Sequence, residues 1–541
     1  MALPSLIRRA APLALAALTA LPGASAAAGR HPWTIPHVLR YATGEDIVGL
    51  NPHLVTQLTL SFMSSNTMAW LVKYDEHNRP IPELATAVPS RANGGVSADG
   101  KTITYKLRRD AKWSDGVPFT SADVKFSAEV VLNPANNEAV HTGFDQIVRV
   151  ETPDPYTVVF RLKAPYSGFY VNFFGSAGAN PCVLPKHKFD STLINEAPYN
   201  QLPIGIGPFK YASWRKGESI ELVRNDLYFG RKPKLERVIF KIIPDRNTTL
   251  TQLRTHEIDM WAPVPAAFFD RVKELHDVRV VRQASYGYNH IDLNLEHGAF
   301  RDVVVRRALR LATDRKTIVE KIRHGVGILE ETPLPPGHPF HIDAPLIPYD
   351  PGEANRILDA AGWKRGQDGI RAKGSQRLQF TIASGTGTPD TDAMIELLRS
   401  WWTPLGVAFD VKHYPSPLYF APAQTGGILY GGKYDVGLFA WIVGPNGDLT
   451  NLFACDRIPP HGQNVPRYCN PVVDRAMRTF ITSYDEGVQQ RADRVVQEQL
   501  VKDVATIVTD AREDVYAYND DLKDFRPNQV TAFDHLADAD I

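Results

Sequence analysis

The sequence predicts a mixed α/β protein with more than one domain. The chain has 541 residues, of which 43% are hydrophobic, so it can build about two or three domains with a large core. Helix and strand patterns alternate in the second half of the chain, with helices at 350–362 and 392–402 and a strand at 409–411. Such alternation favours a mostly parallel sheet in this part of the chain.

The charge balance argues against a polyanionic partner. Lys and Arg together number 60, and Asp and Glu together also number 60. A chain without excess positive charge has no field that would concentrate a phosphate backbone or an anionic membrane at its surface. We therefore expect no nucleic-acid partner.

The N-terminus has the pattern of a secretory signal peptide. Arg8 and Arg9 precede an apolar run at 10–21, and Ala24-Ser25-Ala26 follows it. A basic region, a short apolar region and an A-x-A site predict residues 1–26 as a signal peptide cleaved after Ala26. A buried N-terminal helix is the alternative, but two prolines interrupt the run. No cysteine follows the cleavage site, so we expect no lipid anchor.

Residues 99–126, DGKTITYKLRRDAKWSDGVPFTSADVKF, contain the most regular local pattern. Apolar and polar residues alternate over 103–107, which predicts a half-buried strand, and the turn pair Asp115-Gly116 closes it. Thr120 or Ser121 is then placed to cap a new helix. The charged residues occupy turn and solvent-facing positions, so the stretch predicts structure and not catalysis.

The order KLR, W-SDG-PFT and DV-F in this stretch closely resembles the signature of bacterial extracellular solute-binding proteins of family 5. That group binds peptides, oligopeptides and nickel for ATP-binding-cassette importers. Three more segments resemble the family in the same order along the chain: the triplet Leu50-Asn51-Pro52, residues 71–85 and residues 203–260. The resemblance covers nearly the whole chain after the signal peptide.

The resemblance implies the fold of a type II periplasmic binding protein: two lobes joined by a two-strand hinge, with an extra subdomain inserted in the first lobe. The first hinge strand is expected near 286–295, and the return near 515–518. The implied boundaries are a signal peptide at 1–26, lobe I at 27–60, the inserted subdomain at 61–199, lobe I again at 200–288, lobe II at 289–512 and a C-terminal return to lobe I at 513–541.

The same resemblance implies a function. The protein is expected to be a periplasmic monomer that captures a small solute between its lobes and delivers it to an inner-membrane permease, without a cofactor and without breaking a bond. A secreted hydrolase is the rival from another class. The sequence contains no G-x-S-x-G, H-E-x-x-H or Walker motif, so no catalytic residue is assigned.

The loop at 441–448, WIVGPNGD, is the segment expected to decide which solute binds. Members of the family have a Trp here, followed by D-x-x-D/E-P, and in the peptide-binding branch the first acid holds the ligand's α-amino group. Alignment with that loop places Asp448 at the second acid and Pro445 at the first. The amino-group anchor of the peptide branch is therefore missing.

A second departure concerns the ligand carboxylate. The dipeptide-binding branch carries an Arg in the loop before the helix that contains Met394, and that position falls at or near Gly385 here. Without either anchor, both ends of a free dipeptide would be buried unpaired, at a cost of several kcal/mol each. The resemblance leaves open a longer peptide, a glycan or opine-like solute, and a nickel or haem chelate. Thr388 adds a hydroxyl near this loop, and the candidate ligand-binding residues are Trp441, Asn446, Asp448, Gly385, Thr386 and Tyr288.

The cysteines are expected to form one disulfide. Cys455 and Cys469 flank a loop rich in Pro, Gly and Asn, and an exported protein favours paired thiols. A zinc site is the alternative, but these two cysteines and His461 supply fewer than four ligands. Cys182 is left over, and we expect it to be a small buried apolar residue.

The histidines give no clear metal site. His338 and His341 are close in sequence but stand among prolines without carboxylates or cysteines, so we expect an exposed loop there and not a metal centre. His290 and His297 flank the expected hinge strand. We expect both to be structural.

Overall fold

The computed structural model describes residues 30–177, 180–387, 389–530 and 533–541. The predicted signal peptide and Thr388 lie outside these ranges. Within them, none of the helices combines the length and the apolar character that crossing a membrane requires.

The strands of the described residues form one large sheet and three small ones. In chain order they are β1 (Val38–Thr43), β2 (Val72–Tyr74), β3 (Pro80–Pro82), β4 (Thr102–Lys106), β5 (Ile147–Asp154), β6 (Thr157–Leu162), β7 (Phe209–Arg215), β8 (Ser219–Arg224), β9 (Arg237–Ile242), β10 (Met260–Trp261), β11 (Val278–Leu293), β12 (Lys364–Arg365), β13 (Arg371–Lys373), β14 (Gln376–Arg377), β15 (Gln379–Gly385), β16 (Ala408–Tyr414), β17 (Val436–Ile442) and β18 (Ile507–Asn519).

The large sheet has ten strands in the order β16-β15-β17-β11-β18-β10-β1-β9-β8-β7. β15 runs parallel to both β16 and β17, as the alternating pattern of helices and strands predicted. β1 is likewise parallel to β9 and β10. The two parallel groups lie at opposite sides of the sheet, with the antiparallel pair β11 and β18 between them.

β11 and β18 belong to both sides of the sheet. One part of β11, residues 287–293, pairs with β17, while residues 278–284 pair only with the C-terminal part of β18. Their mutual register is interrupted between Ala284 and Tyr288. The strands expected to form the hinge are therefore the two that cross the centre of the sheet, although the exact lobe boundaries remain a prediction.

The helices that the sequence predicted to begin near Thr120 and Asp350 have caps at these residues. Asp350 accepts a hydrogen bond from the Glu353 amide at 2.8 Å, and Asp123 accepts one from the Thr120 amide at 2.9 Å. The α-helices are α1 (Leu58–Thr67), α2 (Ser121–Leu132), α3 (Phe169–Asn172), α4 (Arg246–Arg254), α5 (Phe269–Lys273), α6 (Val303–Leu311), α7 (Arg315–Thr317), α8 (Pro351–Ala360), α9 (Pro389–Trp402), α10 (Ser416–Tyr419), α11 (Thr450–Phe453), α12 (Pro471–Thr482) and α13 (Glu486–Asp503).

The apolar core is divided into clusters that follow this layout. One cluster surrounds β1, β8 and β9, and another surrounds β15, β16 and β17. A third lies between Ala69 and Ile206 and overlaps the predicted insertion at 61–199, whose boundaries remain a prediction. Residues of 99–126, including Tyr105 and Trp113, form the centre of this third cluster. That stretch therefore builds a core and lies outside the candidate site.

A buried ion pair links the N-terminal part of the chain to this region. His53 Nδ1 donates to Glu138 Oε2 at 2.9 Å, and His53 Nε2 donates to the carbonyl oxygen of Cys182 at 2.8 Å. All three residues are buried, and Cys182 is the small interior residue that the sequence predicted. Because both ring nitrogens face acceptors, the imidazole is held in its charged form.

Replacing His53 is expected to cost stability in a pH-dependent way. Burial alone lowers the pKa of His53, but the Glu138 carboxylate and the Cys182 carbonyl outweigh it and raise the pKa to about 10. A raised pKa stabilises the fold fully below the unfolded value of about 6.5, and this contribution is lost as pH rises towards about 10. H53Q leaves Glu138 buried and unpaired, so its free energy of unfolding should fall by about 3–5 kcal/mol at pH 6.

Urea unfolding at pH 6 and pH 9.5 measures this effect. The difference between wild type and H53Q should be clearly smaller at pH 9.5. H141Q, at an exposed histidine in the same region, is the matched control and should differ little from wild type at either pH. If the difference in unfolding free energy between wild type and H53Q is the same at both pH values, the assignment of a positive charge to the His53 ring is wrong.

Candidate functional site

Trp441 lies at the carboxyl end of β17, directly beside the two central strands. It pairs with Tyr288 of β11 across the antiparallel ladder, and its ring packs edge-on against Phe439 at 5.4 Å between centroids. Part of its surface stays accessible. The carboxyl ends of strands in an open α/β sheet are the usual place for a ligand. Trp441 is therefore placed as expected for a ligand contact.

Tyr288 has a different environment from Trp441. Its side chain is 0% exposed, and its hydroxyl has no hydrogen-bond partner among the described residues. Burial, with a smaller effect of the Asp292 charge, raises the pKa of this hydroxyl well above its ordinary value. Tyr288 thus supports Trp441 from within the core, and in this conformation it does not form part of the accessible surface.

Gly385 and Thr386 stand at the same edge of the sheet as Trp441. Gly385 ends β15, which pairs in parallel with β17 through Ala383 and Gly437. Thr386 is exposed and its amide donates to the Tyr414 carbonyl at 2.9 Å. The two predicted ligand-contact regions therefore share one edge of the sheet. The third predicted contact of this loop, Thr388, is outside the described residues.

The loop after Trp441 is tightly packed from behind. Gly447 has a φ of +72°, and a Cβ atom there would lie 2.8 Å from Phe340 Cδ2 and 3.1 Å from His338 Cε1. Glycine is therefore needed both for the left-handed turn and for the close approach. Asn446 beside it is buried. A larger residue in place of Gly447 would therefore change the shape of the loop.

His338 holds this loop, and our expectation of an exposed segment was wrong for it. The side chain is only 4% exposed, and its Nε2 donates to the Gly444 carbonyl at 3.1 Å while Nδ1 accepts from the Phe340 amide. Burial lowers the pKa of His338 to about 4, so the ring is neutral at physiological pH. The sequence pattern of prolines suggested solvent exposure, but here they shape a segment that packs under the loop.

His341 also has a structural partner. His341 Nδ1 donates to the Leu334 carbonyl at 2.8 Å. Within the described ranges, the compact group of potential metal ligands is His31 with Asp520 and Asp521, which includes neither His338 nor His341. His290 is buried and lies beside Asp292 at 2.9 Å.

The side chain of Asp448 is partly buried and partly accessible to solvent. Its Oδ1 accepts from the Thr450 amide at 2.9 Å, at the start of α11, and part of the side chain remains accessible. Burial raises the pKa of this carboxyl above its ordinary value, and Thr450 and Arg457 oppose the rise. An accessible carboxylate in a buried setting interacts strongly with a cation because little water screens it.

The disulfide predicted between Cys455 and Cys469 is present. Cys455 lies two residues after the end of α11, and Cys469 directly precedes Asn470, the N-cap of α12. Inside the closed loop, Asn464 Nδ2 donates to the carbonyl oxygens of Ala454 and Tyr468 at 2.8 and 2.7 Å. The bond and these contacts fix the segment that follows Asp448.

Removing the disulfide should lower stability. Closing a loop of this length contributes about 3 kcal/mol through the entropy of the unfolded chain. We expect the double variant C455S/C469S to lose about that amount of unfolding free energy, measured in urea. Wild type unfolded with a reductant should match the double variant, and addition of reductant should not change the double variant itself. Equal stability of oxidised wild type and the double variant would contradict this expectation.

Residues 166–168, in the predicted insertion, lie beside the loop, and sequence reasoning did not identify them. The Ser167 amide donates to the Ile481 carbonyl at 2.8 Å, and the Tyr484 hydroxyl donates to Gly100 O at 2.8 Å while accepting from the Tyr166 amide at 3.1 Å. A Cβ atom on Gly168 would lie 3.2 Å from Asn446 Nδ2. The segment PYSG has no motif that predicts such a contact.

Comparison with known proteins agrees with this geometry. The profile of the bacterial extracellular solute-binding proteins, family 5 (middle), matches residues 79–457. The chain belongs to this family. It is also 30% identical to the oligopeptide-binding protein AppA of Bacillus subtilis (strain 168) over 443 residues, which covers 80% of this chain and 79% of that protein. It is therefore a solute-binding component of the ATP-binding-cassette importer type.

Solved structures support the fold. The family 5 member is similar to AppA from B. subtilis in complex with a nonapeptide, with a TM-score of 0.77, 23% identity, and coverage of 93% of this chain and 98% of that one. It is also similar to NikZ from Campylobacter jejuni in complex with Ni(L-His), with a TM-score of 0.76, 26% identity, and coverage of 92% and 97%. The fold is that of the type II periplasmic binding proteins, and these relatives are binding proteins.

Proposed function

We propose that this chain is a periplasmic receptor whose solute is an oligopeptide, held between the 441–448 loop and the opposite lobe. The observation that carries the proposal is the placement of Trp441 and Asp448. Both keep accessible surface beside the two strands that join the halves of the sheet. The oligopeptide-binding relative, similar over four-fifths of the chain, supports the choice of solute class.

The proposed mechanism is capture without chemistry. A solute that contacts both lobes stabilises the closed form because its affinity for that form is higher. Two crossing strands allow the lobes to rotate about the hinge while each keeps its own core. Delivery to a membrane permease follows, after export through the predicted signal peptide. The protein acts as a monomer without a cofactor, and no residue is assigned a catalytic role.

The composition of the site favours a longer peptide over a free dipeptide. Gly385 has no side chain that could pair with a ligand carboxylate. The side chain of Pro445 has no charged or polar group that could pair with a ligand amino group. Trp441 offers a large apolar contact that tolerates different side chains. A longer peptide can be held by its backbone and by such contacts, so it does not depend on burying both charged ends.

Native mass spectrometry of freshly purified protein tests the solute class. We expect a copurified set of masses that resolves into heterogeneous peptides. A single non-peptide mass would replace the proposal with a glycan or opine-like solute, and a metal signature would replace it with a chelate. If the protein were a hydrolase, it would convert candidate substrates. We expect product analysis after incubation with such substrates to show no turnover.

Trp441 should contribute strongly to binding. W441A removes a large contact at the centre of the site, and we expect an affinity loss of about 2 kcal/mol, or about thirtyfold, for the copurified peptides. Tryptophan fluorescence titration measures it. W401A is the matched control. Trp401, on α9, packs against Tyr349 at 6.2 Å between ring centroids, and the peptide affinity of W401A should be unchanged. An unchanged affinity in W441A would remove Trp441 from the site.

The contacts of Tyr484 with the inserted region should favour the closed form. Y484F loses the bond donated to Gly100 and the one accepted from Tyr166. We expect a loss of about 1 kcal/mol, or about fivefold in peptide affinity. Y349F, which removes a half-exposed hydroxyl elsewhere, is the control. If Y484F binds as tightly as wild type, these contacts do not take part in closure.

A further inference from the structure

An exposed aromatic side chain lies beside the candidate site and is absent from the sequence-based set of ligand contacts. Phe420 directly follows α10, and 47% of its surface is exposed. Its ring packs edge-on against Phe439 of β17 at 6.2 Å between centroids. Phe439 in turn packs edge-on against Trp441 at 5.4 Å. We call Phe420, Phe439 and Trp441 the aromatic row.

Tyr419, the last residue of α10, fixes the position of the aromatic row. β15 and β17 pair at two positions, and the second pair is Ala383 with Gly437. Where this pairing ends, the buried Tyr419 hydroxyl donates to the Ala383 carbonyl at 3.0 Å and accepts from the Leu438 amide at 3.2 Å. One side chain thus attaches α10 to both strands. Phe420, the next residue, is therefore positioned without help from a solute.

The aromatic row adjoins the region where the ligand contacts were predicted. All three rings keep accessible surface. A Cβ atom on Gly385, at the end of β15, would lie 3.8 Å from Ser416 Oγ, at the start of α10. The segment that carries Phe420 therefore lies next to the loop of Gly385 and Thr386. Exposed apolar surface that continues from a binding site is typical of a ligand-contact surface.

The chemistry of the aromatic row distinguishes between the side chains of a peptide. The Phe420 and Phe439 side chains contain only carbon and hydrogen. An apolar side chain placed on them gains free energy because its surface and theirs leave water. A charged or strongly polar side chain in the same place would lose its hydration without gaining a hydrogen bond. The aromatic row is therefore suited to aromatic and large aliphatic side chains.

We propose that the aromatic row binds an apolar side chain of the oligopeptide and that Phe420 determines this preference. The inference rests on the proposed oligopeptide function and names one feature of that solute. The occupant follows from continuity with Trp441, the proposed ligand contact at the end of the row. Side chains two residues apart in an extended peptide are separated by about 7 Å. One bound peptide can therefore contact Trp441 with one side chain and Phe420 with another.

A competition between two synthetic peptide pools tests the proposal. Both pools are nonapeptides of Ala, Gly, Ser and Thr. Each member of the first pool carries one Phe or Leu, at every position in turn, and each member of the second carries Ser in its place. Equal amounts are mixed with dialysed protein, and the retained peptides are identified by native mass spectrometry. Wild type should retain the apolar pool about tenfold over the Ser pool.

The variant F420S should reduce this ratio about fivefold, because it removes the exposed ring and leaves Trp441 in place. Its retention of the Ser pool should match that of wild type, since a pool without large apolar side chains makes little use of the ring. F420Y keeps the ring and should keep the ratio within about twofold of wild type. L346S replaces an apolar side chain that is 51% exposed in the segment before α8, and its ratio should equal that of wild type.

The outcomes separate this inference from the proposed function. Equal retention of both pools by wild type, an unchanged ratio in F420S, or an equal loss of both pools in F420S overturns the inference and leaves the oligopeptide function in place. Wild-type dimers that disappear in F420S, with the ratio unchanged, would assign the aromatic row to a second copy of the chain and also overturn it. Retention of neither pool by wild type overturns both.

Discussion

The antiparallel pairing of β11 with β18 is the constraint on which the rest of the structure depends. β11 lies beside β17 of one parallel group, β18 lies beside β10 of the other, and the two strands pair with each other. Within this sheet, β11 and β18 therefore connect the two parallel groups. Side chains secure the crossing: Asn289 Nδ2 donates to Asp510 Oδ2 at 2.6 Å, and the Gly327 amide donates to Glu513 at 2.9 Å. The register between the two strands shifts twice, between Ala284 and Tyr288 and again between Asn289 and His290. In the proposed closure these two strands bend, while the cores on either side stay packed.

The loop beside this crossing keeps its shape because of residues that do not form its accessible surface. His338 holds the Gly444 carbonyl, Phe340 packs against Gly447, and the Cys455–Cys469 bond fixes the chain after α11. A site that must recognise a solute in a defined pose needs its contacts fixed before the solute arrives, since ordering them later would reduce affinity. The neutral state of His338 fits this role. A ring that is uncharged near neutral pH keeps the same hydrogen bonds there.

Local signals in the sequence predicted much of this architecture, and the failures have physical reasons. Caps such as Asp350, the parallel strands around β15 and the disulfide follow from short-range chemistry, and all are present. His338 was assigned to an exposed loop because prolines usually mark the surface, whereas burial here depends on a segment more than 100 residues later. The burial of Asp493 was also not predicted, because a charged residue on an amphipathic helix is usually solvated. Gln497 on the same helix donates both to Asp493 and to the Phe340 carbonyl, and no pattern within α13 encodes the second contact.

The distribution of charge in the site bears on what kind of peptide it accepts. A dipeptide has an ammonium and a carboxylate at a fixed separation, and a closed site must pair both or pay for burying one. Here the partly accessible Asp448 lies just before α11, while the loop after β15 contains no basic residue. A site that pairs the cationic end alone sets no requirement on where the chain ends. The carboxylate can then remain in water, and peptides of different lengths can share one mode of binding. Under the proposed function, a site of this kind therefore does not select peptides by their length.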